Sequence, residues 1–356
     1  MRAIYLVRHG EPEFPDGKKV CLGRTDLPLS EKGKGQALLL KDYFSDLPSP
    51  VVFTSPLKRC TQTACAAGFL DAVPMDGLSE VCMGDWDGLS FEEIRARWPV
   101  IYRERGKDLL RTAPPGGESL LNCGERASRT LAQIRKDHPA GDLVIFTHSG
   151  VIRMLSAFLT DAPLETGLNK QFEYASVALF LETENAVLPG PVLPCGETGE
   201  MFPDEKTCEA LFSECKTPEK VKSHCRAVAE KAMELCGNLE ERGIRLNRKA
   251  VYTGALMHDI KRTEKDHAAK AAVFLLQHGY ASLAAIVGDH MVLPKCEERI
   301  SEKSIVFLAD KLIKGTREVT LEERYFANIT EDKKPYVQER YEQAVAQRGR
   351  FFCAKK

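Results

Sequence analysis

The 356-residue chain lacks the features that mark membrane, nucleic-acid-binding and disulfide-rich proteins. No apolar run is long enough to span a bilayer. The 50 basic and 51 acidic side chains nearly cancel, so no general attraction to nucleic acid or anionic membranes is expected. The 12 cysteines are scattered without a C-x-x-C spacing, and a chain of this length needs no disulfide staples. Free thiols in a reducing compartment are therefore expected.

The N-terminus also lacks a basic segment followed by an apolar signal region and a small-residue cleavage site. It enters strand-like sequence at once, which predicts a cytoplasmic protein. What is present is ordinary for protein with a packed core: 43% of the residues are hydrophobic and 28% are charged. The length favours two domains.

Residues 1 to about 182 alternate predicted strands with predicted helices. The strand candidates are short and rich in β-branched or aromatic residues; they are 3–7, 51–54, 143–147 and 176–181. Helices are predicted between them, at 30–44, 57–69 and 119–136. Strands separated by helices indicate a largely parallel, doubly wound sheet with helices on both faces.

The pattern changes after a segment dense in proline and glycine at 188–203, which predicts a linker. No strand is predicted beyond it. Helices are predicted at 218–236, 249–257, 268–278, 282–290 and 301–314. The expected organisation is an α/β domain at 1–185, a linker at 186–204, an all-α domain at 205–330 and a C-terminal helical tail at 331–356.

The α/β half carries a candidate site for a phosphoryl group. Arg8 and His9 follow the first strand, and His148 follows the strand at 143–147. Arg59 lies at the start of the helix after the second strand. Ligands of open α/β sheets bind beyond the carboxyl ends of the strands, where helix N-termini also favour anions. These four side chains can converge there on one dianion, and Glu80 can add a carboxyl group.

The chemistry of each side chain suggests its role. A neutral imidazole can attack phosphorus, so His9 is the candidate nucleophile. Arg8 and Arg59 can donate bidentately to phosphate oxygens, and a protonated His148 can stabilise the same charge. Glu80 is the candidate general acid for the departing alkoxide. Arg-His-Gly alone is more often a turn at a strand end, but all five residues in this order favour catalysis.

Several sequence segments of this half form a known pattern. They are Leu-Val-Arg-His-Gly-Glu at 6–11, Gly-Arg-Thr-Asp-Leu-Pro-Leu-Ser at 23–30, Ser-Pro-Leu-Lys-Arg at 55–59, and His-Ser-Gly at 148–150. Residues 1–182 thereby closely resemble the histidine phosphatase superfamily. The resemblance implies that His9 becomes phosphorylated without any cofactor, that Arg8, Arg59 and His148 form the phosphate pocket, and that Glu80 donates the proton. It also implies a phosphate contact at Thr25.

The superfamily contains both phosphatases and phosphoglycerate mutases. The segment between Glu80 and His148 is shorter than the insertion that phosphoglycerate mutases use, and a mutase needs an enclosed basic pocket to retain a bisphosphate. The compact segment at 23–30 is most similar to α-ribazole phosphatase and small phosphatases near it. A phosphatase is therefore favoured, with a mutase-type phosphotransferase as the alternative.

The helical half contains six side chains that can bind a metal ion: His224, His258, Asp259, His267, His290 and Asp310. Asp310 lies inside an apolar helix, where an unpaired carboxylate is costly. One inward histidine such as His224 is usually an ordinary core residue. Four histidines and two aspartates together suit one or two ions of Fe, Mn, Zn, Co or Mg.

The order of these residues resembles the HD-domain metal-dependent phosphohydrolases over about residues 205–325. His224, His258, Asp259 and Asp310 match the defining ligands, and His267 and His290 match an extended branch. Many members carry Lys three residues beyond the Asp, where this chain has Arg262. The resemblance implies that Arg262 binds phosphate with a changed donor geometry, and that the substrate is nucleotide-like.

The expected protein is thus a bifunctional phosphohydrolase. The alternative for the helical half is a non-catalytic nucleotide-sensing module that regulates the phosphatase; six retained ligands argue against it. The expected partner is a small phosphorylated metabolite or nucleotide. Neither nucleic acid nor a membrane is expected as a partner, and a homodimer is compatible with the sequence.

Overall fold

The computed structural model describes residues 1–294, 299–327, 329 and 334–353. The chain forms two compact units. The sheet unit consists of Ile4–Ser45 and Ser49–Gly199, and the helical unit consists of Met1–Ala3, Asp46–Pro48 and Glu200–Lys356. Across the described residues, no helix combines the length and apolar character needed to cross a membrane.

A six-stranded sheet lies at the centre of the sheet unit, with the strand order β3-β2-β4-β1-β5-β6. The strands are β1 Arg2–Arg8, β2 Val51–Thr54, β3 Val73–Pro74, β4 Leu143–Thr147, β5 Val177–Glu182 and β6 Val187–Leu193. The pairs β1–β4, β2–β4 and β2–β3 are parallel, and β5–β6 is antiparallel. The prediction of a largely parallel sheet is confirmed.

Helices cover both faces of this sheet. They are α1 Glu31–Phe44, α2 Lys58–Ala66, α3 Phe91–Arg97, α4 Pro99–Lys107, α5 Leu120–Asp137, α6 Ser149–Leu159 and α7 Leu164–Leu168. Because neighbouring residues of a strand point to opposite faces, β1 contributes buried side chains to the packing on both faces of the sheet. Ile4 and Leu6 pack in the cluster that contains α5 and α6, whereas the Tyr5 ring contacts Tyr43 and Phe44 of α1. The α/β fold class predicted from the sequence is confirmed.

Part of the predicted linker belongs to the sheet. Residues 187–193 form β6, so the prediction of a linker at 186–204 is wrong for this segment. Pro189 and Pro191 suggested a chain break, but β6 lies at the edge of the sheet, where a strand tolerates proline because one row of its backbone groups needs no partner. The other edge strand, β3, also contains a proline and was not predicted.

The helical unit contains α8 Glu205–Glu214, α9 Glu219–Glu240, α10 Arg248–Met257, α11 His267–Gln277, α12 Ala281–Gly288, α13 Glu302–Leu312, α14 Leu321–Phe326 and α15 Lys334–Cys353. The buried residues of α9 recur every three or four positions, as expected for a helix with one face in the core. This helix packs against α10 and α13. The all-α prediction misses one small hairpin, formed by β7 Ile313–Lys314 and β8 Arg317–Glu318. In the predicted tail, residues 331–333 and 354–356 lie outside the described residues.

Candidate active sites

The two histidines predicted for the phosphate pocket lie side by side. Arg8 of β1 pairs with Thr147 of β4, so His9 and His148 leave neighbouring parallel strands at the same level. Their ring centroids are 5.1 Å apart. Both side chains are buried. The carboxyl edge of the sheet therefore brings the two imidazoles into one pocket, as the sequence predicts.

The His9 ring has a defined orientation. Its Nδ1 lies 2.7 Å from the carbonyl oxygen of Gly10, and since a carbonyl oxygen only accepts, Nδ1 carries the proton. The lone pair of a neutral ring is then on Nε2. Burial, followed by the charges of Arg59 and Arg8, holds the pKa of His9 well below its ordinary value. His9 is therefore neutral at physiological pH and presents Nε2 as a nucleophile.

His148 is held by residues that the sequence did not single out. Its Nε2 is 2.8 Å from Ser55 Oγ and 3.4 Å from Cys60 Sγ, and all three residues are buried. Burial, then Arg59 and His9, lower the pKa of His148 well below its ordinary value. The predicted cationic role of His148 thus requires a bound dianion to raise that pKa.

Arg59 is almost completely buried and is anchored by two backbone carbonyl groups. Its Nη2 donates to Gly23 O at 2.7 Å and its Nη1 donates to Thr25 O at 2.9 Å. Its Nε is buried without a hydrogen-bond partner among the described residues. A buried, unpartnered N–H of a cation is costly unless an anion accepts from it. Thr25, predicted to contact phosphate, here acts through its carbonyl oxygen.

Arg8 shows the same arrangement. Its Nη1 donates to Phe172 O at 2.6 Å, and its Nε is buried without a partner in the described part of the chain. The guanidinium carbon lies 3.8 Å from the ring centroid of Tyr174, a stacking contact that orients the planar group. Tyr174 carried no motif in the sequence. The buried Nε–H groups of both arginines can therefore donate to phosphoryl oxygens.

Asp87 positions the loop that anchors Arg59. Its Oδ1 accepts from the backbone N–H of Gly23 at 2.8 Å, and its Oδ2 accepts from those of Arg24 at 2.7 Å and Thr25 at 2.9 Å. The carbonyl groups of the same loop hold the Arg59 guanidinium. Asp87 therefore acts on the pocket through the loop backbone. The only sequence signal for this role was its place in Gly-Asp-Trp-Asp-Gly at 84–88.

Glu80 lies beside the turn that follows His148. Its Oε1 accepts from the Val81 N–H at 3.0 Å, and Gly150 N is 3.4 Å from its Oε2. A Cβ added at Gly150 would lie 2.5 Å from Glu80 Oε1, so a larger residue at this position of His-Ser-Gly would displace the Glu80 carboxylate. Burial lowers the pKa of Arg8, and the charge of Glu80 opposes that effect, which places the carboxylate within electrostatic reach of Arg8. The structure thus brings all five predicted catalytic side chains to one edge of the sheet.

In the helical unit, the two oxygens of Asp259 face two different pairs of histidines. Asp259 Oδ2 is 3.8 Å from His224 Nε2 and 3.5 Å from His258 Nε2. Asp259 Oδ1 is 3.1 Å from His267 Nε2 and 3.5 Å from His290 Nε2. These side chains form two groups able to hold a metal ion, and they share Asp259.

Asp310 joins the first of these groups. Its Oδ1 is 3.3 Å from His224 Nε2 and 3.6 Å from His258 Nε2. Burial alone would raise the pKa of Asp310, but Lys311, His224 and His258 hold it well below its ordinary value. The carboxylate is therefore ionised and available as a ligand. All six side chains predicted from the sequence are brought together.

The histidines are oriented as metal ligands usually are. In His224, His258 and His290, Nδ1 is 2.7 Å from a backbone carbonyl oxygen and so carries the proton, which leaves the Nε2 lone pair for an ion. Among the described residues, Nε2 of His258, Nε2 of His290 and Oδ1 of Asp259 are buried without a hydrogen-bond partner. A divalent cation satisfies such atoms, so the residues present fit a metal centre.

Arg262 lies at the rim of this cluster. Its Nη1 is 3.1 Å from His267 Nε2 and 3.5 Å from Asp259 Oδ1, and about half of its side chain is exposed. A guanidinium there can reach an anion that approaches from solvent. The predicted role in binding phosphate agrees with this position but remains a prediction.

Models of two known protein families match this chain, one in each half. The family model described as "Histidine phosphatase superfamily (branch 1)" matches residues 4–187. The model described as "HD domain" matches residues 221–315. Both families named from sequence motifs are thereby confirmed.

The related proteins include named phosphatases. The chain is 33% identical over 168 residues to phosphoserine phosphatase 1 of Hydrogenobacter thermophilus, which covers 46% of this chain and 79% of that protein. It is 28% identical over 178 residues to glucosyl-3-phosphoglycerate phosphatase of Mycolicibacterium vanbaalenii, covering 46% and 77%. The crystal structure of α-ribazole phosphatase from Shigella flexneri matches with a TM-score of 0.50 and 22% identity, covering 52% of this chain and 94% of that one. This last likeness supports the fold alone.

Proposed function

The chain belongs to the histidine phosphatase superfamily through residues 4–187, and on that basis we propose that the sheet unit hydrolyses a phosphomonoester through a phosphohistidine at His9. One observation carries the proposal. His9 is neutral, presents Nε2 and has as neighbours two guanidinium groups whose buried Nε–H groups lack acceptors among the described residues. This is a nucleophile in a pocket that a phosphoryl dianion completes.

Two displacements at phosphorus account for the reaction. His9 Nε2 forms a bond to phosphorus while the ester P–O bond breaks, and protonated Glu80 gives its proton to the departing oxygen. Water then attacks the phosphohistidine, the P–N bond breaks, and the Glu80 carboxylate takes the proton of that water. Inorganic phosphate leaves and His9 is neutral again. Arg8, Arg59 and His148 stabilise the charge on the oxygens in both steps.

The proposed substrate is a small phosphorylated metabolite. The sequence similarity to α-ribazole phosphatase and the relationship to phosphatases of phosphoserine and glucosyl-3-phosphoglycerate support a monoester of this size. The alternative is a phosphoglycerate-mutase-type transfer, which the short segment between Glu80 and His148 disfavours. The two differ in whether the phosphoryl group passes to water or to a second metabolite.

We further propose that the helical unit is a metal-dependent phosphoesterase for a nucleotide-like substrate. His224, His258, Asp259 and Asp310 would hold one divalent cation, and Asp259, His267 and His290 a second. A bound cation of this kind supplies a Lewis acid and an activated water molecule. Arg262 would bind a phosphate oxygen at the rim. The alternative is a regulatory nucleotide-sensing module; the complete ligand set favours catalysis.

One set of variants tests both sites. Hydrolysis of an aryl phosphate is measured with and without EDTA, together with the metal content of the purified chain. His9→Ala should abolish the EDTA-resistant activity and leave the metal content unchanged. Asp259→Ala should remove bound metal and any metal-dependent hydrolysis, and leave the EDTA-resistant activity unchanged. His138→Gln is the matched control, because His138 packs against Phe53 away from the pocket residues.

Survival of the EDTA-resistant activity in His9→Ala would overturn the nucleophile assignment. Loss of both activities in either variant would overturn the independence of the two sites. A screen of phosphorylated metabolites with and without EDTA then identifies the substrate of each unit. It also separates hydrolysis from transfer, because a mutase yields a phosphorylated product in place of free phosphate.

A further inference from the structure

A cavity in the helical unit is lined by positively charged side chains. Its volume is about 160 Å³ and its walls are Met291, Lys311, Arg324, Tyr325 and Arg340. Three of these five residues are cationic, and none belongs to the metal-ligand set described above. Arg324, Tyr325 and Arg340 lie beyond the residues 221–315 that match the HD model. The cavity is therefore a feature that α14 and α15 add to the HD domain.

Two of the cations connect the cavity to the metal-ligand cluster. Lys311 Nζ donates to Asp310 Oδ2 at 2.6 Å and to the His290 carbonyl oxygen at 3.2 Å. Arg324 Nη2 donates to Asp310 Oδ1 at 3.3 Å, and its Nη1 donates to Ile313 O at 3.0 Å. Lys311 and Arg324 therefore lie in the wall of the cavity and also contact Asp310, one of the proposed metal ligands.

Tyr325, in the wall of the cavity, carries a polar group that lacks a partner among the described residues. The Tyr325 hydroxyl is buried and has no hydrogen-bond partner in the described part of the chain. Burial raises the pKa of Tyr325, so the hydroxyl keeps its proton and remains a donor. A buried donor left unsatisfied destabilises the folded chain. An acceptor inside the cavity would remove that destabilisation.

The charge and the size of the cavity indicate which kind of ligand it can bind. Lys311, Arg324 and Arg340 are the cationic side chains of the cavity wall, and the Asp310 carboxylate pairs with the first two. A volume of this size accommodates a phosphate group. Arginine side chains are the usual donors to phosphate oxygens.

We propose that this cavity is an anion subsite that binds a second phosphate group of the substrate of the helical unit, beside the phosphate that is hydrolysed. The proposal rests on the phosphoesterase function proposed above and narrows its substrate to a compound with more than one phosphate. Lys311, Arg324, Arg340 and the Tyr325 hydroxyl are the donors.

The test is calorimetric binding of inorganic diphosphate to the full chain after EDTA treatment. Every protein used in this test also carries the substitution Arg59→Ala, so that the phosphate pocket of the sheet unit does not contribute to binding. Saturable binding is expected. Arg340→Gln should weaken it about tenfold, as for the loss of one charged donor, and Tyr325→Phe, which removes only the hydroxyl, about threefold. Arg348→Gln is the matched control on α15, because Arg348 is exposed and outside the cavity wall.

A further variant distinguishes the cavity from the metal centre. Asp310→Asn removes the negative charge beside Lys311 and Arg324, so it should strengthen diphosphate binding severalfold while it weakens metal binding. The proposal is overturned if diphosphate does not bind, if Arg340→Gln and Tyr325→Phe bind as tightly as their parent, if Arg348→Gln weakens binding equally, or if Asp310→Asn weakens it. None of these measurements needs hydrolysis, so failure of the phosphoesterase function is detected separately with Asp259→Ala.

Discussion

Histidines serve opposite electrostatic purposes in the two units. In the sheet unit, burial and neighbouring arginines hold the pKa values of His9 and His148 well below the ordinary value. In the helical unit, burial also keeps the pKa of His290 below the ordinary value, but at His258 the Asp259 carboxylate outweighs burial and holds the pKa well above it. The first pocket is a cationic site for a dianion, and the second is an anionic site for a cation.

The two sites nevertheless orient their rings by the same device. His9 donates from Nδ1 to the Gly10 carbonyl oxygen, and His258 donates from Nδ1 to that of Ala255. In the neutral form of both rings, Nε2 is then the atom with the lone pair. What lies opposite Nε2 decides its use: Arg59 contributes to the charge around one ring, and Asp259 and Asp310 face the other. A histidine motif alone therefore does not distinguish a nucleophile from a ligand.

The largest expected effect comes from removing the positive charge of Arg59 from the phosphate pocket of the sheet unit. Arg59→Ala should lower the EDTA-resistant kcat/KM by about 10³-fold, because a buried donor to the transferring phosphoryl group is lost. Arg59→Lys should recover only part of it, since lysine lacks the bidentate geometry. The metal content should not change. The exposed Arg103 supplies the control variant Arg103→Ala, and near-normal activity of Arg59→Ala would contradict the assigned pocket.

Asp87→Asn tests whether the loop backbone positions Arg59. The amide keeps one acceptor oxygen but turns an N–H donor towards the loop amides, so we expect kcat/KM to fall about 30-fold. The inhibition constant of inorganic phosphate should rise with it, while the melting temperature changes little. Asp85→Asn, on the same turn but exposed, should behave as wild type. Equal losses in both variants would indicate a general defect of the turn.

A pH series should distinguish the two units, because only the metal affinity of the helical unit is expected to fall, by about tenfold. Because the pKa of His9 lies below its ordinary value near 6.5, His9 stays neutral as the pH falls from about 7.5 to about 6.5. Protonation of His9 should then not lower the EDTA-resistant kcat/KM, calculated for the substrate dianion, in this range. Metal affinity should fall about tenfold for each proton that competes at Nε2, and the raised pKa of His258 makes this competition effective in the same range. Parallel pH profiles would contradict the comparison.

The smallest effect is expected at Cys60, which lies beside His148 without a chemical role. Burial raises the pKa of this thiol, so it is not a thiolate nucleophile at neutral pH. Cys60→Ala should keep the EDTA-resistant activity within about threefold, and unfolding by denaturant should show a loss of about 1 kcal/mol for the small cavity. A much larger loss of activity would show that the contact between Sγ and His148 Nε2 is needed for catalysis.

The sequence predicted the elements that carry the site better than those at the edges. Strands β2 and β4 have the predicted bounds and β1 agrees closely, and the first residues of two predicted helices, Ser30 and Ser119, cap α1 and α5. These are central strands and amphipathic helices, whose apolar pattern is strong. Edge strand β6 was missed because its prolines resemble a linker, and β7–β8 was missed because two-residue strands have no periodicity.

By itself the sequence predicted the two fold classes, the two families, the five candidate catalytic side chains and the six candidate metal ligands, since these depend on local patterns and motif order. Tertiary structure alone decided how those side chains are held. It joined Asp87 to Arg59 through a loop more than 60 positions before the aspartate, directed the two oxygens of Asp259 to different histidines, and brought Arg324 and Arg340 to one cavity. Hydrogen bonds, ring orientation and cavities depend on packing between distant segments, which no local pattern encodes.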